Sequence, residues 1–160
     1  MKVMISNFSQ IRNFSENMLP LSTALWGPKW YHNFLGAGYT FIDKRNIFCG
    51  LVFDPFVPGN TCDGLCNGSC DPKHPRDCDY LKAYRLQLAT LDFSKVMNHA
   101  EILVNEYITK RDISGEPTAV FMVYESCDNP CSERWPLVEW FHKNGIKLQE
   151  FNHRSIHRLF

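Results

Sequence analysis

Short unbroken apolar runs alternate with longer amphipathic stretches along the chain. Lys2 to Ile5 gives way to polar Ser6 and Asn7, and Leu19 to Leu25 forms a second apolar run. Both read as buried strands, with one or two helical turns predicted between them over Phe8 to Phe14. From Trp26 to Asp79 the pattern is loop-like, rich in Gly, Pro, Asn and Asp, and only Ile47 to Phe53 looks extended. Ala119, Val120, Phe121, Met122 and Val123 then follow one another without polar alternation inside Pro117 to Tyr124. That is the pattern of a strand covered on both faces, as in a parallel sheet, and it predicts the central strand.

Helical periodicity fills the spaces between. Leu81, Tyr84, Leu88 and Leu91 recur at three- and four-residue spacing and predict a helix from about Asp79 to Leu91. Val96, Ala100, Leu103 and Tyr107 form the stripe of a second, from about Ser94 to Lys110, which Asp92 or Ser94 can cap. A third is predicted from about Ser132 to Asn144, because Pro136 is tolerated in a first turn and Gly145 supplies a C-terminal cap. Ile146 to Phe151 then reads as the last strand. Strand, helix, strand is a βαβ unit with a right-handed crossover. The expected fold is a layered α/β domain, Rossmann-like, with a mainly parallel sheet flanked by helices. It spans 1–160 as one domain, with a cysteine-rich loop at about 59–79.

Composition narrows the class. The chain has 160 residues, 44% hydrophobic and 14% aromatic, enough to bury a core without disulfides. Seventeen Lys and Arg balance seventeen Asp and Glu, so no global field draws it to phosphate backbones, although a local nucleic-acid contact stays open. MKVMISNFSQ turns polar too early for a secretory leader, and no apolar stretch reaches the roughly 18 residues of a membrane span. Seven cysteines, an odd number, without an export signal predict thiols, metal ligands or a nucleophile in a cytoplasmic chain.

In open parallel sheets the ligand crevice lies beyond the carboxyl ends of strands, and Tyr124 to Arg134 occupies that position. Cys131 is expected at the N-terminus of the following helix, where free N–H groups and the dipole favour the thiolate. Arg134 turned back would add positive charge, and Glu125 at the strand edge would act as a general base or bind a substrate hydroxyl. The plainer reading makes Cys131 a small buried residue, Ser132 an N-cap, Glu133 a dipole partner and Arg134 a surface ion-pair former. Cys127 and Cys131, four apart, could instead form a reversible disulfide or hold a metal. After the second strand, Trp26-Gly27-Pro28-Lys29-Trp30-Tyr31 combines a cation with large rings, suited either to an anionic or planar ligand or to a packing corner.

These residues carry a resemblance. Ile5-Ser6-Asn7-Phe8, Ile11-Arg12, Leu19 through Tyr31, and the Tyr124-Glu125 to Cys131 turn followed by Glu139-Trp140 are similar to the family known as domain of unknown function 488. Its members carry a Pro-Lys-Trp-like segment and a late strand leading into Cys-His-Arg at a helix start. Here Ser132 stands at the family's His position, and Arg134 lies one residue farther from Cys131. The resemblance implies an α/β fold with a pocket near Lys29, Glu125, Cys131 and Arg134, with Trp26, Trp30 and Ser132 around it, and no named reaction.

Cys62, Cys66, Cys70, His74 and Cys78 recur every four residues among Gly and Pro breakers, in a stretch outside the family pattern. Five Cys and His candidates in one loop predict a structural zinc site, with an iron–sulfur cluster or a loop of free thiols as alternatives. Cys49 reads as core. His32, His99 and His142 show no ligand spacing, while His153 and His157, with Arg154 and Arg158, could form a basic terminal face. Two functions compete. One is a small enzyme or ligand binder with an anionic or nucleotide-like ligand at Glu125 and Cys131, held by Lys29 and Arg134. The other is a zinc-stabilised, non-catalytic module whose loop, with Lys73 and Arg76, binds nucleic acid or a protein partner.

Overall fold

The computed structural model describes residues 1–25, 27–33, 48–62 and 78–152. Its centre is a six-stranded sheet in which every pairing is parallel, flanked by helices in the layered, Rossmann-like manner. The strands are β1 (Lys2–Asn7), β2 (Met18–Ser22), β3 (Tyr31–Asn33), β4 (Phe48–Val52), β5 (Thr118–Val123) and β6 (Gln149–Glu150). Their spatial order is β3-β4-β2-β5-β1-β6. Three helices follow in the second half: α1 (Asp79–Ala89), α2 (Phe93–Arg111) and α3 (Arg134–Lys143).

The unalternating run predicted as the central strand is β5, buried at all of its positions between β2 and β1. Phe121 faces an aromatic cluster: its ring centroid lies 5.4 Å from that of Phe53, 4.9 Å from Phe56 and 5.6 Å from Phe141. Phe8–Asn13 forms the expected helical turns as a 3-10 helix. Pro20 sits inside an interior strand without leaving a gap in the ladder. Pairing of β2 with β4 begins only at Leu21, while Pro20 lies opposite Val120 of β5, its carbonyl 3.3 Å from the Tyr31 hydroxyl oxygen.

Several boundaries differ from expectation for local reasons. β2 ends at Ser22, because the Thr23 hydroxyl and N–H both turn onto the Met122 carbonyl, at 2.9 and 3.0 Å. In α2 the fully buried stripe runs Val96, Ala100, Val104, Tyr107, with Leu103 only partly covered, and Asp92 is the cap, accepting from Lys95 N–H at 3.1 Å. β3 was not expected at all. It is three residues long, and Tyr31 is fixed there by donating its hydroxyl to the Leu51 carbonyl at 2.8 Å. The third helix starts at Arg134, two residues later than predicted, so Pro136 occupies its third position and still falls within the first turn. Among the described residues no helix is long and apolar enough to cross a membrane.

Candidate functional site

The chain leaves β2 toward β3 and β4 on one side of the sheet, and leaves β5 toward β6 on the other. The loops beyond these two adjacent strands therefore diverge, and a crevice opens between them at the carboxyl ends. It measures about 490 Å³ and is lined by Thr23, Ala24 and Leu25 after β2, by Tyr124 after β5, and by Val57, Pro58, Asn60 and Cys62. Tyr80 from the first turn of α1 and Glu133 just before α3 complete the wall.

Each part is held by a side-chain hydrogen bond. Ser22 Oγ donates to the Ala24 carbonyl at 2.8 Å and accepts from its N–H at 3.1 Å, which sets the turn after β2. Gln87 on α1 anchors the Val57–Gly59 stretch, donating to the Val57 carbonyl and accepting from Gly59 N–H, both at 2.7 Å. The buried Tyr84 hydroxyl donates to the Phe56 carbonyl at 2.6 Å. The Tyr80 hydroxyl donates to Glu133 Oε1, also at 2.6 Å.

Charge in the crevice is acidic. Among the described residues none that lines it is Lys or Arg. Glu125, half-buried beyond the end of β5, has its carboxyl pushed above the usual range, first by burial and then by the charge of Glu133. Its Oε2 is buried without a hydrogen-bond partner. Burial and the same Glu133 charge raise Tyr80, which therefore stays a protonated donor.

The residues singled out in sequence are only partly brought together. Arg134, expected near Cys131 or at the surface, is 2% exposed. Its guanidinium lies 2.9 Å from Glu150 Oε1, with Nε donating to Oε2 at 3.1 Å and Nη1 to the Glu125 carbonyl at 2.8 Å. A cation buried this way is held by partners inside the fold and does not face the crevice, which corrects its expected role as an anion holder. Ser132 is buried and its Oγ accepts from Arg134 N–H at 3.1 Å, close to the capping role expected of it. Cys131 precedes the helix cap rather than opening the helix, and it is disulfide-bonded. Joined in that bond it has no thiol proton to lose, so the expected thiolate is not present in this state. Cys127 is free, so the pairing of Cys127 with Cys131 does not form. Instead Cys127 Sγ accepts from Asn152 Nδ2 at 3.0 Å.

Lys29 is exposed outside the crevice wall, and Trp30 is partly exposed with its ring 6.3 Å from Phe8; Trp26 lies outside the described residues. Tyr124 leans on the same Phe8 ring at 5.1 Å. Cys62 is buried and lines the crevice, and Cys78 stands at the start of α1; neither is in a disulfide. Cys66, Cys70 and His74 lie outside the described residues, as do Lys73, Arg76, His153, Arg154, His157 and Arg158, and the side chains of His32 and Cys49. Among the described residues no three His, Cys, Asp or Glu side chains gather as a metal-ligand set. His99 and His142 are exposed.

No family model, curated protein or solved structure matches this chain. What the crevice can do is therefore argued from its own groups. Sequence reasoning missed Tyr80, Thr23 and Asn60, and gave Glu133 only a helix-dipole role. Tyr80 and Glu133 are 53 residues apart, and no local spacing links them.

Proposed function

We propose that this chain is a small-ligand-binding α/β protein whose ligand enters the crevice between the ends of β2 and β5, beside two carboxyl groups, Glu125 and Glu133. The observation that carries this reading is the crevice beyond the ends of β2 and β5, with Glu133 in its wall accepting a hydrogen bond from the Tyr80 hydroxyl at 2.6 Å. Burial and the Glu133 charge raise the Glu125 carboxyl, so it favours its protonated form and can give that proton to a bound molecule. That is acid–base chemistry at a strand-end crevice. The motif resemblance to domain of unknown function 488 points to the same strand end through Glu125. An anionic ligand held by Arg134 has little support, because the guanidinium is engaged by Glu150.

The test is a fragment titration of the isotopically labelled protein. Binders should shift the amide signals of Thr23, Leu25, Tyr80 and Tyr124 together, and Glu133→Gln should weaken them by about tenfold, roughly 1.4 kcal/mol. Fragments that bind only elsewhere would remove the crevice from consideration.

A further inference from the structure

The donors and acceptors of the crevice are unevenly committed. The Tyr80 proton goes to Glu133 Oε1 and the Thr23 hydroxyl proton to the Met122 carbonyl. Both hydroxyl oxygens are left with lone pairs to offer and no proton to give. Glu133 offers its second carboxylate oxygen, and behind it Glu125 Oε2 is buried without a partner. Against these acceptors the described lining residues include no Lys or Arg, and among them Asn60 brings the one side-chain amide donor. The rest of the described wall is Ala24, Val57, Pro58 and Cys62, with Leu25 exposed at 57% and Tyr124, which adds a third hydroxyl, at 51%. An anion entering here would meet repulsion and few donors. A cationic nitrogen would find Glu133, two hydroxyl oxygens and the face of an aromatic ring.

We infer that the ligand is an amine, carried as an ammonium on a short apolar or aromatic body, with its nitrogen on Glu133 and its body against Leu25, Pro58 and Tyr124. The inference rests on the crevice being the ligand site, and it adds the sign of the ligand's charge.

Three probes of one shape separate the two claims: phenethylamine, 2-phenylethanol and phenylacetate, titrated while the amides of Thr23, Leu25, Tyr80 and Tyr124 are followed. Phenethylamine should bind about tenfold or more tighter than phenylacetate, with the alcohol between them. Glu133→Gln should remove the preference for the amine. Leu25→Lys, at an exposed position that burdens folding little, should lower amine affinity and raise that of phenylacetate, so the charge assignment is tested even if Glu133→Gln does not fold. Phenylacetate binding at these residues as tightly as the amine would overturn the assignment and leave the crevice standing as a ligand site. Silence of these residues toward all three probes would overturn both.

Discussion

Glu125 shows how one side chain's surroundings change its chemistry. Burial and the Glu133 charge raise its carboxyl, while Ser132 and Arg134 draw it back less strongly. A carboxyl raised in the folded chain favours the protonated form there. Its contribution to stability is therefore complete below the ordinary value of 4.5 and is lost as pH rises through the higher folded value. Glu125→Gln keeps the shape and removes the charge. Thermal unfolding across pH should show the variant melting above the parent chain at pH about 8 and converging with it near pH 4. A parent chain that stays the more stable at alkaline pH would mean that the Ser132 and Arg134 contacts outweigh burial. Sequence placed Glu125 at a strand end, but its neighbour Glu133 looked like an ordinary first-turn acid, because the repulsion between them depends on a turn geometry that spacing does not encode.

At the scale of elements, α3 shows the local rules at work. Its end was legible: Gly145 adopts φ 83°, its N–H reaches the His142 carbonyl at 3.0 Å, and Ile146 N–H reaches Phe141 at 2.9 Å. This is the paired C-terminal closure that glycine permits. A Cβ at Gly145 would meet nothing within 4 Å. Gly145→Ala should therefore cost only the left-handed backbone strain, about 1 kcal/mol in urea unfolding, with no repacking. The start of α3 was less legible. Ser132 accepts from the Arg134 N–H, Glu133 takes the cap position while its carboxylate accepts from Tyr80, and the helix opens at Arg134. β3 was invisible because three residues carry too little periodicity. Its anchor, the Tyr31 hydroxyl on Leu51, is a contact between strands.

Across the whole molecule, Arg134 ties three parts of the chain together: the start of α3, the end of β5 through the Glu125 carbonyl, and β6 through Glu150. Arg134→Ala should destabilise the protein by about 3 kcal/mol, since it leaves a buried carbonyl and a largely covered carboxylate unpaired. Adding Glu150→Gln should recover part of that loss in denaturant unfolding. Two losses that simply added would mean that the pair does not act as a unit. The sheet holds the crevice in place in the same long-range way, because β2 and β5 are adjacent in space although about 100 positions of chain separate their paired residues.

Sequence by itself determined the fold class, because buried strands and amphipathic helices are written in local periodicity. The unbroken apolar run of β5, the stripes of α1 and α2, and the cap residues Asp92 and Gly145 each depend on neighbours within a turn or two. It also pointed to the carboxyl end of β5, beside which the crevice opens. The tertiary structure alone decided the chemistry there. Whether Arg134 faces a ligand or Glu150, whether Cys131 is a thiol or half of a disulfide, and whether Tyr80 meets Glu133 depend on residues far apart in the chain. Burial, pairing and charge coupling arise only once packing has brought those residues together.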